Sequence, residues 1–119
     1  MRIAVTGGSG EMGRALVPYL LEQGHSVVSI DRALPSTTIF SLAGQAQFMA
    51  ANVTNFGEYV ACLRGCDGLI HLAAHRSPMS HADHVVFNEN SAGNYNALSA
   101  AATVGIKRVC LASSINAIG

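Results

Sequence analysis

The sequence predicts an α/β domain built on a doubly wound parallel sheet of about five strands in the order 3-2-1-4-5. Three observations carry that prediction. Short apolar runs of strand type alternate with longer helical stretches, and the connections between them are short. The first run, Ile3-Ala4-Val5, passes through the glycine-rich text TGGSGEMG directly into a helix. Half of the 119 residues are hydrophobic and only 12% are charged, a balance that suits strands covered by helices on both faces.

The elements follow in order. Arg2–Thr6 is the first strand. Residues 11–23 form the first helix, with Met12, Leu16, Leu20 and Leu21 near helical spacing, Pro18 as an internal strain and Gly24 as the stop. Residues 26–30 (SVVSI) form the second strand, with Asp31 at its C-terminal end. Residues 33–45 are weakly patterned, as a short helix or loop. Residues 47–51 make the third strand, Asn55 caps a helix over 56–64, and Cys62 and Cys66 stand four apart, at helical spacing. Residues 68–72 (GLIHL) make the fourth strand, whose small following residues, Ala73 and Ala74, leave room for a ligand over the carboxyl edge of the sheet. A polar loop over 76–84 leads into a long helix from about 85 to 104, stopped by Gly105. Residues 107–112 form the fifth strand, with Cys110 buried in it, and Ser113 and Ser114 follow. In that strand order the fifth strand is an exposed apolar edge, which favours homo-oligomerisation or poor solubility.

Composition narrows the function. Seven basic and seven acidic residues cancel, so nothing favours nucleic acid or an anionic membrane as a partner. No apolar run is long enough to span a bilayer, and no signal peptide precedes the first strand. Three cysteines, an odd number without a disulfide framework, fit a reducing compartment, so the cytoplasm is the expected location.

The glycines carry the chemistry. Gly8, Gly10 and Gly13 satisfy G-x-G-x-x-G, and Gly7, Gly10 and Gly13 satisfy G-x-x-G-x-x-G. One glycine permits the tight turn, one lets a pyrophosphate approach the backbone, and one lets the helix pack on its strand. The helix N-terminus then presents amides and a positive dipole to the phosphates. Asp31 follows Gly10 by 21 residues, close to the interval at which a carboxylate meets the ribose hydroxyls of a bound dinucleotide. It would repel a 2′-phosphate, so NAD is expected over NADP. Arg32 could in principle pair with that phosphate, and a solvated turn is the plainer alternative for Asp31.

Other constellations carry less. His71, His75, His81 and His84 fall within 14 residues at spacings open to zinc, but no cysteine or carboxylate joins them at a set interval, and no metal is expected. Cys62 and Cys66 are expected to pack as small apolar groups. Ser113 and Ser114 lack the G-x-S-x-G elbow of a hydrolase.

Taken together, TGGSGEMG, Asp31, HLAA (71–74), N-x-x-G-x-x-N at Asn90, Gly93 and Asn96, GIKRV (105–109) and SSINAIG (113–119) resemble the extended short-chain dehydrogenases/reductases, the NAD-dependent epimerases/dehydratases with a Rossmann fold. The ending looks closest to members acting on sugars or uronic acids, including uronate dehydrogenases. The resemblance implies that Gly7, Gly8, Gly10 and Gly13, with the backbone of Ser9, Glu11 and Met12, bind the pyrophosphate. Asp31, with Arg32 beside it, would meet the adenine ribose, and Asn52 and Val53 the adenine. Asn52 departs from the family's usual aspartate. Leu72, Ala73 and Ala74 would line the nicotinamide ribose, and Asn90 would serve as a structural or cofactor-side polar residue. Ser114 would be the catalytic serine that hydrogen-bonds the reacting oxygen of a sugar-like substrate. The family's Tyr-x-x-x-Lys pair lies beyond the double serine. Tyr19, Tyr59 and Tyr95 all precede it, and none has a lysine four residues later. Residues 1–119 therefore read as the cofactor-binding half of such an enzyme, truncated before the substrate lobe. The alternative is a non-catalytic dinucleotide-binding module or inactive fragment.

Overall fold

Alternate residues of the central strand face opposite cores, and the helices take their sides accordingly. The computed structural model describes residues 1–33 and 46–114. Strands β1 (Arg2–Thr6), β2 (Ser26–Asp31), β3 (Ala46–Ala50), β4 (Gly68–His71) and β5 (Arg108–Leu111) form one sheet in the order β3-β2-β1-β4-β5. Every pairing is parallel, with Ala4 opposite both Val28 and Leu69. Helices α1 (Glu11–Glu22), α2 (Phe56–Leu63) and α3 (Asp83–Val104) complete the described fold. The predicted class and strand order are those observed.

On one face Ile3, Val5 and Val27 pack against Val17 and Leu20 of α1. On the other, Ala4, Val28, Ile30 and Leu69 pack against Tyr59, Cys62 and Leu63 of α2 and Ala97, Ala100 and Ala101 of α3. The alternation of a two-residue period, with both sides apolar, is why these strands read as unbroken hydrophobic runs. Three alanines on α3 keep that helix close to the sheet.

Several boundaries shift for identifiable reasons. β2 continues through Asp31, because β3 pairs with it there, Asp31 opposite Ala50. Pro18 lies inside α1, which nonetheless runs to Glu22. Asn55 caps α2 as expected, its Oδ1 accepting from the Glu58 amide at 3.1 Å. α2 ends at Leu63, so Cys66 lies in the following turn rather than on the helix. α3 starts at Asp83, where an acidic side chain in the first turn complements the dipole. Gly105, with φ at 82°, closes α3, and the Ile106 amide reaches back to the Ala101 carbonyl at 2.9 Å. β5 is an edge strand, and its alternation places Val109 and Leu111 against the core while Cys110 is exposed, not buried as expected. Residues 34–45, most of the weakly patterned stretch, and 115–119, the end of SSINAIG, lie outside the described residues. Among the described residues no helix is long and apolar enough to cross a membrane.

One polar cluster is locked into the core. His71 of β4 is 2% exposed, and its Nδ1 lies 2.7 Å from both Thr6 Oγ1 and the Tyr59 hydroxyl. These three side chains tie β1, β4 and α2 together. Nε2 has no hydrogen-bond partner. It faces Gly93 of α3, where a Cβ would stand 3.6 Å away. Burial pushes the imidazole down from 6.5 to about 4 and pushes the Tyr59 phenol up.

The imidazole is therefore neutral in the fold at pH 7. Between about 4 and 6.5 the unfolded chain binds more protons than the folded one, so the stability present above that window is lost as pH falls through it. The expected loss is about 2 kcal/mol between pH 7 and pH 5. Urea unfolding at both pH values checks it. The midpoint of the wild type drops, and in His71→Gln the drop shrinks by more than half. An equal midpoint at both pH values would reject the buried neutral imidazole.

Candidate cofactor site

The glycine turn after β1 is built from close backbone approaches. Gly7 has φ at 71°, and a Cβ there would meet the Ala73 amide nitrogen at 2.9 Å. The Gly7 amide donates to the Ile30 carbonyl at 2.8 Å, and the Gly10 amide donates back to the Gly7 carbonyl at 3.0 Å. A Cβ on Gly8 would fall 2.0 Å from Ser29 Oγ, and one on Gly13 only 2.3 Å from the Gly7 carbonyl oxygen and 2.5 Å from Gly8 Cα. Gly8 and Gly13 are thus the packing glycines, buried under the turn. Gly10 is different: a Cβ there would meet nothing within 4 Å but the Gly7 oxygen, at 3.2 Å.

A cleft of about 440 Å³ opens over the carboxyl ends of the strands. Of the predicted residues, Gly7, Gly10, Glu11 and Met12 line it from the turn, and Asp31 and Arg32 from the end of β2. Asn52 and Val53 line it from the segment after β3, Leu72, Ala73 and Ala74 from the end of β4, and Asn90 from α3. Gly8, Ser9, Gly13 and Ser114 do not line it. Ser9 instead fixes the floor: its amide donates to Asp31 Oδ2 at 3.1 Å and its hydroxyl to the Ala33 carbonyl at 2.9 Å. The Arg32 amide holds the other oxygen, Oδ1, at 2.7 Å. The Asp31 carboxylate is therefore fixed beside the turn.

The far walls are braced by α3. Asn90 bridges one residue's backbone, Oδ1 accepting from the His75 amide at 2.8 Å and Nδ2 donating to the His75 carbonyl at 3.1 Å. Asn96 Nδ2 donates to the Val53 carbonyl at 2.9 Å. Between them Gly93 lets α3 approach, since a Cβ would come 3.2 Å from a Val53 methyl. Asn52 Oδ1 accepts from both the amide and the hydroxyl of Thr54, and the Asn52 amide donates to Glu58.

Sequence reasoning missed the charged rim. Glu89, one residue before Asn90, bonds His75 Nε2 and lies 3.9 Å from Arg32 Nη1. Arg76 pairs with Glu11 across the mouth of the cleft. Both glutamates are lowered, Glu11 by its hydrogen bond from Arg76 and that guanidinium's charge, and Glu89 first by its hydrogen bond with His75 and further by the Arg32 guanidinium. The loop over 76–84 reads as polar in sequence, but nothing there identifies which partner each charge meets. His75 and His81 rings stack at 4.2 Å, and among the described residues no three His, Cys, Asp or Glu side chains gather as a metal site needs.

The NAD-dependent epimerase/dehydratase family model matches residues 3–119. The chain belongs to that family. It is 36% identical over 115 residues to a putative dihydroflavonol 4-reductase of Synechocystis, covering 97% of this chain and 33% of that protein. Among solved structures it resembles MoeE5 in complex with UDP-glucose and NAD, at 26% identity and a TM-score of 0.85, covering all of this chain and 38% of that one. It also resembles a mutated uronate dehydrogenase, at 27% identity and a TM-score of 0.81, covering 96% of this chain and 39% of that one. The chain thus spans between a third and two fifths of the length of these relatives.

The donor set fits the cofactor that the family's description names. Arg14 makes the first amide bond of α1, to the Gly10 carbonyl at 2.9 Å. Glycine at the cap has no side chain to satisfy the amides of Glu11, Met12 and Gly13 ahead of it. Those amides and the open space at Gly10 have the chemistry a diphosphate needs, and the Asp31 carboxylate lies in the same cleft.

The packing glycines differ in tolerance. Gly13→Ala forces a methyl into backbone and is expected to destabilise by about 3 kcal/mol or more. Gly8→Ala meets chiefly the end of the Ser29 side chain, which can rotate, and is expected to lose about 1 kcal/mol. Urea midpoints of the two variants check the order, and equal losses would contradict the geometry.

Proposed function

We propose that residues 1–119 are the N-terminal NAD-binding domain of an enzyme that transfers hydride between the cofactor and a sugar-like alcohol or carbonyl. The observation that carries this reading is the Asp31 carboxylate, fixed by the Ser9 and Arg32 amides beside the glycine turn. Asp31 accepts hydrogen bonds from the adenine ribose, and the glycine turn with the amides of Glu11 and Met12 holds the pyrophosphate. With Asn52 Oδ1 held by Thr54, the Asn52 amide nitrogen is the end that meets an acceptor nitrogen of the adenine. Leu72, Ala73 and Ala74 flank the nicotinamide ribose. Asn90 acts through the His75 backbone and is a positioning residue. Bound NAD supplies the hydride acceptor at its nicotinamide ring, and Ser114 hydrogen-bonds the reacting oxygen of the substrate. The sugar-like substrate class is supported by the SSINAIG text and by the likeness to uronate dehydrogenase. Three free cysteines support a reducing, cytoplasmic location.

Titration of the purified chain with NADH and NADPH tests the cofactor reading. NADH is expected to bind more tightly, and Asp31→Asn to weaken NADH binding about 10- to 100-fold, the worth of hydrogen bonds to a charged group. Tighter binding of NADPH, or no effect of Asp31→Asn, would refute it. A second measurement addresses the chemistry. NAD-dependent oxidation of uronic acids or nucleotide sugars by the whole enzyme, of which these residues would be the N-terminal domain, is expected to fall about 100-fold in Ser114→Ala. Binding of NADH by that whole protein without turnover of any such compound would leave a binding module instead.

A further inference from the structure

We infer that Glu89 is a specificity-determining residue, which excludes a 2′-phosphorylated dinucleotide by neutralising Arg32. The inference rests on the reading of Asp31 as the ribose-binding carboxylate.

Beside Asp31 the cation able to meet a 2′-phosphate is Arg32, the next residue in the chain. Its side chain is 58% exposed, and its Nη1 lies 3.9 Å from Glu89 Oε2. That separation is an ion pair without a direct hydrogen bond, so Arg32 is attracted to Glu89 but not locked to it. Glu89 is the better-anchored partner. It rises from the body of α3, its carboxylate bonds His75, and Asn90 clamps the His75 backbone from both sides. The His75 ring in turn stacks on His81.

The consequence is an asymmetry between the two dinucleotides. Ribose hydroxyls need only the fixed oxygens of Asp31. A 2′-phosphate needs a counter-charge against Asp31, and Arg32 can give it only by leaving Glu89. That competition for Arg32 opposes the phosphate, and it vanishes when residue 89 is neutral. Glutamine at 89 keeps a carbonyl oxygen to accept from His75, so the wall stays in place.

The test is the ratio of NADPH to NADH affinity, measured by titration of the full chain. In Glu89→Gln the ratio is expected to rise about tenfold, the effect of freeing the partly exposed Arg32 charge from its carboxylate partner at 3.9 Å. In Arg32→Ala the ratio changes less than about twofold, because Arg32 is already neutralised. In the double variant the tenfold gain disappears, which isolates the coupling between the two side chains. An unchanged ratio in Glu89→Gln, or a gain that survives Arg32→Ala, overturns the inference. If the wild type binds neither dinucleotide, the ribose-binding reading itself has failed and the inference falls with it. If it binds NADH and the ratio does not respond, only the role of Glu89 is wrong.

Discussion

The packing of Gly13 against the turn between β1 and α1 sets the position of everything that faces the cleft. A methyl there would lie 2.3 Å from the Gly7 carbonyl, so α1 can rest directly on the turn only because residue 13 has no side chain. That approach fixes where the first amides of α1 point. Gly7 then sets the second distance, since its own Cβ would overlap the Ala73 amide at 2.9 Å. The loop after β4 is thereby held against the turn, and the cleft is framed by segments from neighbouring strands. The Gly8 position adds the third contact, to Ser29 of β2, whose strand ends in Asp31. One crowded turn therefore sets the position of the first amides of α1 and of the Asp31 carboxylate together.

The cleft has an unusual charge problem for a site that takes an anionic ligand. Asp31, Glu11 and Glu89 all line it, and a pyrophosphate brings further negative charge. The chain answers with specific pairings rather than with an excess of basic residues. Asp31 is satisfied by two backbone amides, Glu11 by Arg76 and Glu89 by His75 and Arg32. What remains unpaired at the cleft, among the described residues, is the positive end of α1, whose first turn lines it. The pairs involving arginine are largely exposed and contribute little to stability. Their consequence is for which ligand fits.

The sheet was legible because strands buried on both faces give continuous apolar runs, and because glycine stops such as Gly24 and Gly105 mark helix ends. The cleft was legible where its lining is local in sequence: the glycine turn, and Asp31 at the end of β2. The misreadings have physical causes. Cys110 alternates outward on an edge strand, and no pattern within a four-residue strand says which side is covered. Cys66 and Cys62 share helical spacing, but α2 terminates between them. Glu89 and Arg76 could not be assigned, because their partners lie 57 and 65 residues away, at Arg32 and Glu11.

The histidine of HLAA illustrates how a residue that looks like chemistry can instead be architecture. His71 is a candidate metal ligand by spacing, yet its Nδ1 is taken up by Thr6 and Tyr59 deep in the core. Burial removes its charge, and a neutral imidazole is what a dry core can hold. The N-x-x-G-x-x-N text of α3 continues the same structure outward. Gly93 lets α3 lie over His71, Asn96 grips the segment after β3, and Asn90 grips the loop after β4. The two asparagines are three residues either side of the glycine, so a single face of α3 seats on the core and braces both walls of the cleft. Glu89 is held by that brace. Its carboxylate meets His75, whose backbone Asn90 bridges from the next position, so the charge sits on the braced wall of the cleft.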